Sequence, residues 1–268
     1  MSRTVFLGDS HCNGYYEDSA GAVHHWHENN YAEIYAKHNN KPTVIYSMPG
    51  TCNRKYPAWL RSILDRYDDI DEVFVQSGYW HRYLLAASDS ELPGQDIGID
   101  HFLDNEQPKD ELVHRYTDVK YNTNYLELTE QVRPQNLENF KGLQFENKSV
   151  DHTWAPFHER YVYTKVWHEL MTQLQYRDYC LDLLAIDNMC KDYGTKWYLW
   201  SMNNRCPIPE NIDLYTKLSP VRCKKSAIEY LESKFVKTES YKLDIEHYNY
   251  TVHEKIATDY FTFLKNND

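Results

Sequence analysis

The chain has 268 residues, of which 41% are hydrophobic and 15% aromatic, and its formal net charge of −11 gives a pI of about 5.6. This acidic balance argues against a nucleic-acid backbone or an anionic membrane as the main partner, because both require clustered lysine and arginine. No stretch approaches the ~20 consecutive apolar residues of a membrane span.

The length predicts one domain. A single α/β domain over residues 1–268, carrying an insertion, fits this length better than two independent folds. The first apolar run begins close to the N-terminus and leaves no room for a leader, so a cytoplasmic location is expected. The sequence does not indicate an oligomeric state.

A short apolar run, Thr4–Leu7, ends in Gly8, Asp9 and Ser10. A run bounded by glycine is typical of a buried strand. A serine just past the C-terminal end of a strand occupies the position where open α/β sheets place their chemistry. Gly8 allows a sharp turn and the close approach of other groups, and Asp9 is expected to cap the turn that follows.

Strands and helices alternate through the next part of the chain. Strands are predicted over Thr43–Ser47 and Glu72–Gln76, and each follows a helix, the first over Tyr31–His38 and the second beginning at Pro57. Strand–helix–strand alternation implies right-handed crossovers and a parallel sheet.

The middle of the chain loses its periodicity. Residues 82–157 are polar, broken by prolines and interspersed with aromatics, which predicts an inserted cap over the sheet edge that carries the chemistry. The later elements are predicted as a helix over Glu159–Tyr193 ended by Gly194, a strand over Lys196–Trp200, a helix over Arg222–Lys234, a short strand at Phe235–Val236 and a helix over Tyr250–Leu264.

The cysteines and histidines give no metal-site pattern. None of the six cysteines has C-x-x-C spacing, so buried reduced thiols are expected. Cys12 lies near the candidate site, but Ser10 has the better context for a nucleophile. No carboxylate or thiol completes a site around His24-His25-Trp26-His27, which favours a loop at the surface or pocket rim.

The two ends of the chain together supply the parts of a serine hydrolase. A serine hydroxyl needs a base within hydrogen-bond reach, and the base needs a third group to orient it. His247 is the candidate base for Ser10, and Asp244, three residues earlier, is the candidate orienting group. The backbone N–H groups of Ser10 and Gly50 are candidate donors to the oxyanion that forms during acyl transfer.

These residues resemble the motifs of the SGNH (GDSL-type) hydrolases. Gly8-Asp9-Ser10 is similar to the first block, Met48-Pro49-Gly50-Thr51 to the second, and Asp244-Ile245-Glu246-His247, followed by His253, to the last. The resemblance covers the two ends of the chain and leaves the middle unmatched. It implies a flavodoxin-like three-layer α/β/α sandwich with a central parallel sheet, a Ser-His-Asp triad, no metal or other cofactor, and hydrolysis of an ester or similar acyl group.

One position departs from the family pattern. The third block is usually Gly-x-Asn-Asp with the asparagine as an oxyanion donor, whereas this chain has Trp80 at that place. Loss of one such donor costs ~100- to 1000-fold in turnover, so His81 or Asn53 is a candidate replacement. The candidate substrate pocket consists of His11, Tyr79, Trp80 and Arg82.

The leading hypothesis is an esterase that removes an acetyl or other short acyl group from a small molecule or a carbohydrate. The aromatic residues of the predicted cap suit stacking on a sugar ring. The alternative is a binding or scaffold protein for a glycan or protein partner, which keeps the fold without the activity, and Trp80 is the reason for it. Acyl transfer to another hydroxyl is a third possibility. A nucleotide-binding role is disfavoured, since no glycine-rich phosphate loop follows the first strand.

Overall fold

A computed structural model gives the three-dimensional arrangement of the chain. The residues it describes are 2–17, 23–25, 29–47, 53–78, 83–86, 112–116, 125–128, 176–203, 208, 221–222, 225–234, 237–243 and 247–266.

Strands and helices alternate within these residues. In chain order the strands are β1 (Arg3–Gly8), β2 (Tyr15–Glu17), β3 (Val23–His25), β4 (Thr43–Ser47), β5 (Ile70–Ser77), β6 (Tyr83–Ala86), β7 (Val113–Tyr116), β8 (Tyr125–Leu128), β9 (Lys196–Ser201) and β10 (Val221–Arg222). The helices are α1 (Ser10–Asn13), α2 (Tyr31–Asn39), α3 (Tyr56–Arg66), α4 (176–192), α5 (Ala227–Lys234), α6 (Tyr250–Lys255) and α7 (Phe261–Asn266), with a π-helical turn at Ile256–Tyr260 and 3-10 turns at Asn53–Lys55 and Thr238–Tyr241.

A parallel sheet forms the centre of the molecule, with strand order β10-β9-β5-β1-β4-β7. Every neighbouring pair is parallel, so the carboxyl ends of the strands meet at one edge. At that edge Gly8 of β1 lies beside Ser47 of β4. Because β1 has β4 on one side and β5 on the other, the chain changes direction there and leaves a crevice at the end of β1.

Both faces of the sheet are buried against helices. Phe6 belongs to a hydrophobic cluster with α2, α5 and the C-terminal helices, whereas Val5 and Leu7 belong to a second cluster with α3 and α4. Within the first cluster Phe6 stacks on Phe74, with 4.9 Å between ring centroids. Burial on both faces accounts for the continuous apolar runs in the strands. The fold is therefore α/β, with a central parallel sheet between two helical layers.

The sequence predicted the elements around β1 closely. β4 covers Thr43–Ser47 as predicted, and β1, β5 and β9 extend slightly beyond their predicted runs. Pro57 lies in the first turn of α3, where backbone N–H groups have no partner within the helix, so a proline costs no hydrogen bond. The helix predicted up to Tyr193 is present as α4, and Gly194 follows it in the left-handed region with φ of +66°. Residues 159–175 lie outside the described residues.

The helix predicted over 222–234 starts later than expected. Ser226 and Glu229 form a reciprocal cap, in which the Glu229 N–H donates to Ser226 Oγ and the Ser226 N–H donates to Glu229 Oε2. The helix therefore begins after Ser226, and Val221–Arg222 instead pairs with β9 as the edge strand β10. The predicted strand Phe235–Val236 lies outside the described residues.

Part of the interval 82–157 contributes to the central sheet. Val113–Tyr116 pairs in parallel with β4, and the Thr43 N–H donates to the carbonyl of Leu112 just before it. The prediction of a cap is wrong for this strand. β6 and β8 form a separate antiparallel pair. Apart from these strands and residue 112, the interval lies outside the described residues, and its role as a cap stays a prediction.

The histidine-rich stretch 24–27 begins inside a β-hairpin. His24 and His25 belong to β3, which pairs antiparallel with β2, so the loop predicted there is wrong for these two residues. Trp26 and His27 lie outside the described residues. None of the described helices combines the length and apolarity that crossing a bilayer requires.

Candidate active site

The structure brings Ser10 and His247 into hydrogen-bond contact. Ser10 is the first residue of α1, immediately beyond β1, and His247 precedes α6 near the other end of the chain. Ser10 Oγ lies 2.8 Å from His247 Nε2, and both side chains are partly buried. With the ring proton on Nδ1, His247 accepts from the serine hydroxyl, which is the arrangement a general base needs.

The Ser10 turn is held close to the sheet. A Cβ on Gly8 would lie 2.4 Å from the Cys12 Cβ, so only glycine permits this approach of α1 to β1. Asp9 is the N-cap of α1, and its carboxylate accepts from the N–H of His11 at 3.1 Å. Gly14 ends the helix with φ of +75°. The predicted capping role of Asp9 and close approach at Gly8 are confirmed.

His247 is held by the backbone of a closed loop. The Leu243 N–H donates to the His247 carbonyl at 2.8 Å, and Lys242 forms an isolated antiparallel bridge with Tyr248. The next residue, Asn249, caps α6 by accepting from the Thr251 N–H. These contacts tie the base to the start of the C-terminal helix.

Asp244, the predicted orienting group, lies outside the described residues. The residues on either side of it, Leu243 and His247, are joined by the backbone hydrogen bond that closes the loop. The carboxylate's role toward His247 stays a prediction.

Two further imidazoles surround the candidate base. The His11 ring is buried, with its centroid 4.8 Å from that of His247 and 6.4 Å from that of Tyr248. His253, on α6, is also buried and accepts a hydrogen bond from the Tyr31 N–H at its Nδ1. Burial, assisted by the charges that His11 and His247 can carry, lowers the pKa of His253 to about 3. His253 is therefore neutral at physiological pH, in keeping with the structural role predicted for it.

Cys12 lies beneath the Ser10 turn and is fully buried. Burial raises the pKa of its thiol to about 12. Nucleophilic cysteines are partly exposed and carry a lowered pKa. This environment supports Ser10 rather than Cys12 as the nucleophile. Cys180 and Cys190 are likewise free and buried.

Asn53 joins the loop after β4 to the end of β5. Its Oδ1 accepts from the Gly78 N–H at 2.9 Å, and its Nδ2 donates to the Gly78 carbonyl at 3.1 Å. The carbonyl group and one amide N–H of this buried side chain are thus used within the scaffold. Its role as an oxyanion donor stays a prediction.

The other predicted oxyanion and pocket residues lie outside the described residues, and their roles stay predictions. They are Gly50, Tyr79, Trp80, His81 and Arg82.

Sequence analysis missed a buried polar side chain below the site. Gln76, predicted only as the end of a strand, is 1% exposed and donates to the Asp9 carboxylate at 2.8 Å. The available signal was a glutamine at the end of the apolar run Val73–Val75, since a buried polar group requires partners.

No family model, curated protein or solved structure matches the chain. The resemblance to SGNH hydrolases therefore depends on the short motifs at the two ends of the chain. What those motifs imply for function is a proposal, for which the geometry around Ser10 provides the physical basis.

Proposed function

We propose that the protein is a serine hydrolase of SGNH type that cleaves an ester, with Ser10 as nucleophile, His247 as base and Asp244 as orienting group. The observation that supports this most directly is the 2.8 Å separation of Ser10 Oγ and His247 Nε2, two residues 237 positions apart in sequence. Contact across such a distance requires the whole fold. Ser10 also begins the helix that follows β1, which is a position that suits a nucleophile in an open α/β sheet.

The sheet topology supports the same proposal. Without the edge strand β7, the parallel strands follow the order 2-1-3-4-5 in their chain sequence, which is the flavodoxin-like doubly wound order. Ser10 lies at the carboxyl end of the first strand, where this order changes direction. Ligands of open α/β sheets bind in that crevice.

The chemistry follows from the pair. Ser10 Oγ attacks the ester carbonyl carbon while His247 Nε2 takes the hydroxyl proton, and the same nitrogen then returns the proton to the departing alkoxide. Water, deprotonated by His247, attacks the acyl-enzyme, releases the acid and restores the serine. Asp244 stabilises the imidazolium in each step, and the N–H groups of Ser10 and Gly50 stabilise the oxyanion.

Turnover of p-nitrophenyl acetate and labelling by a fluorophosphonate probe test the proposal. Wild-type protein is expected to hydrolyse the ester and to be labelled at Ser10. Ser10→Ala and His247→Ala are each expected to reduce turnover by ~10⁴-fold or more, because nucleophile and base act as a unit. Ser233→Ala, an exposed serine on α5, is the matched control and should change neither reading.

The substrate class is resolved by a panel of acetylated sugars and short-chain esters. We propose an acetyl or similarly short acyl group, carried by a carbohydrate or another small molecule. Folded wild-type protein that is inert on the whole panel and unlabelled at Ser10 would contradict the hydrolase proposal. That result, together with glycan or protein binding that survives Ser10→Ala, would favour the scaffold alternative suggested by Trp80.

A further inference from the structure

A network of buried, hydrogen-bonded polar side chains lies beneath the Ser10 turn. Gln76 Nε2 donates to Asp9 Oδ1 at 2.8 Å, and the Tyr31 hydroxyl donates to Gln76 Oε1 at 2.6 Å. The Tyr31 backbone N–H donates in turn to His253 Nδ1 at 3.2 Å. These four residues come from the position just after β1, from β5, from α2 and from α6, and each is at least 95% buried.

The central position in this network requires a side chain that both donates and accepts a hydrogen bond. Asp9 as a carboxylate only accepts, and the Tyr31 hydroxyl donates here, so the side chain between them must offer a donor at one end and an acceptor at the other. An aliphatic side chain would leave both neighbours without that partner. Leaving a buried carboxylate with one fewer donor is costly, so Asp9 would move toward other donors.

The network contacts the segments that position Ser10 and His247. Asp9 directly precedes Ser10 and also caps α1 through the His11 N–H. His253 lies one turn inside α6, and its backbone N–H donates to the carbonyl of Asn249. Asn249 is the N-cap of α6 and lies two residues after His247. A shift at either end therefore changes the separation of the serine and the imidazole.

We infer that Gln76 is a positioning residue for the Ser10–His247 pair, acting through Asp9 on the nucleophile and through Tyr31 and His253 on the helix that follows the base. The catalytic consequence of this inference rests on the proposed hydrolase function. Displacement of a reacting group by about 1 Å costs on the order of 100-fold in rate, so loss of the amide is expected to have an effect of that size.

The first test replaces the amide with an apolar chain of similar length. Gln76→Met is expected to slow fluorophosphonate labelling of Ser10 by about 100-fold. Thr195→Val is the matched control, because Thr195 is also buried and donates to a backbone carbonyl, that of Ile70, away from the Ser10 turn. The control should keep the wild-type labelling rate. A wild-type labelling rate in folded Gln76→Met would overturn the inference.

A second variant separates positioning from packing. Gln76→Glu places a carboxyl against the Asp9 carboxylate, and two such groups share a proton at a raised pKa. The protonated form restores a donor to Asp9. Burial raises the pKa of the Tyr31 phenol and of the Cys12 thiol, so these neighbours keep their protons. The ratio of variant to wild-type labelling rate is expected to rise as pH falls, and a ratio independent of pH would contradict the inference.

A readout without catalysis keeps this test separate from the proposed function. In wild-type protein, Ser10→Ala should shift the ring ¹⁵N signals of His247, because it removes the hydrogen bond at Nε2. In a Gln76→Met background the same substitution should leave those signals nearly unchanged. If wild-type protein shows the His247 signal shift but is not labelled by the fluorophosphonate probe, only the hydrolase proposal is contradicted. If Ser10→Ala shifts the His247 signals fully in the Gln76→Met background, the positioning role is contradicted. If Gln76→Met does not fold, Gln76→Glu takes its place at a pH above the shared pKa, where both carboxyl groups are ionised and position 76 offers Asp9 no donor.

Discussion

At the scale of a single residue, Gly8 leaves no room for a side chain beside the Ser10 turn. A methyl group there would lie 2.4 Å from the Cys12 Cβ and 3.0 Å from Gln76 Oε1. Gly8→Ala must therefore push α1 away from β1, which is expected to lower the unfolding free energy by about 1–3 kcal/mol. The same movement separates Ser10 from His247. Urea unfolding and fluorophosphonate labelling should both register the change.

Gly194 offers a matched control for this prediction. It has a φ of +66° and nothing within 4 Å of an added Cβ, so Gly194→Ala strains the backbone without a steric clash. It is expected to cost about 1–2 kcal/mol and to leave labelling of Ser10 unchanged. Adding Cys12→Gly to Gly8→Ala removes the contacting Cβ and should recover part of the lost labelling. Normal labelling in Gly8→Ala would show that the close approach is not needed.

At the scale of an element, the C-terminal helix is attached to α2 through a histidine that must stay neutral. The Tyr31 N–H donates to His253 Nδ1, which can accept only when that nitrogen carries no proton. The pKa of His253 is lowered from 6.5 to about 3, with burial as the main cause. The unfolded chain therefore binds more protons than the folded one between these pH values, and stability falls as pH falls from 6.5 toward 3.

This linkage gives a measurable slope. Between pH 6.5 and pH 5, His253 alone should remove about 1–2 kcal/mol of unfolding free energy, because the slope approaches 1.36 kcal/mol for each pH unit only once the unfolded histidine is mostly protonated. His253→Asn places an amide oxygen where Nδ1 accepts, keeps the bond and does not titrate. Chemical unfolding at several pH values should give a shallower acid slope for the variant. Equal slopes in the two proteins would contradict the assignment to His253.

The whole molecule shows which features a sequence can reveal. Continuous apolar runs predicted the central strands, because a parallel sheet covered on both faces excludes polar side chains from most positions. Ser10 and His247 were predicted as a pair because the chemistry of a serine nucleophile requires a base. The need for a base does not single out one of the 13 histidines, and His247 was selected by its Asp-x-x-His spacing, which resembles the last SGNH block. The contact at 2.8 Å is a property of the fold.

Other features depended on partners that local pattern does not identify. The edge strands Val113–Tyr116 and Val221–Arg222 are short, and their pairing with β4 and β9 stabilises them more than their own composition does. The buried polar network connects Gln76 to Tyr31, 45 positions away in sequence, and to Asp9, 67 positions away. The contact between Tyr31 and His253 spans 222 positions. Periodicity reports which face of an element is buried, and it carries no information on which distant polar group lies opposite.

Phe261 connects the C-terminal helix to the centre of the sheet and tests whether the molecule unfolds as one unit. Its ring is fully buried, with centroids 4.8 Å from Phe74, 5.1 Å from Trp200 and 5.7 Å from Phe6. Phe261→Ala is expected to cost about 3–5 kcal/mol, since the rigid sheet cannot close the cavity. The exposed neighbour Thr262 is the control, and Thr262→Ala should stay within about 0.5 kcal/mol of wild type. The helical layers share one sheet, so far- and near-ultraviolet circular dichroism should give the same lowered midpoint. Two separate midpoints would show that one layer can unfold without the other.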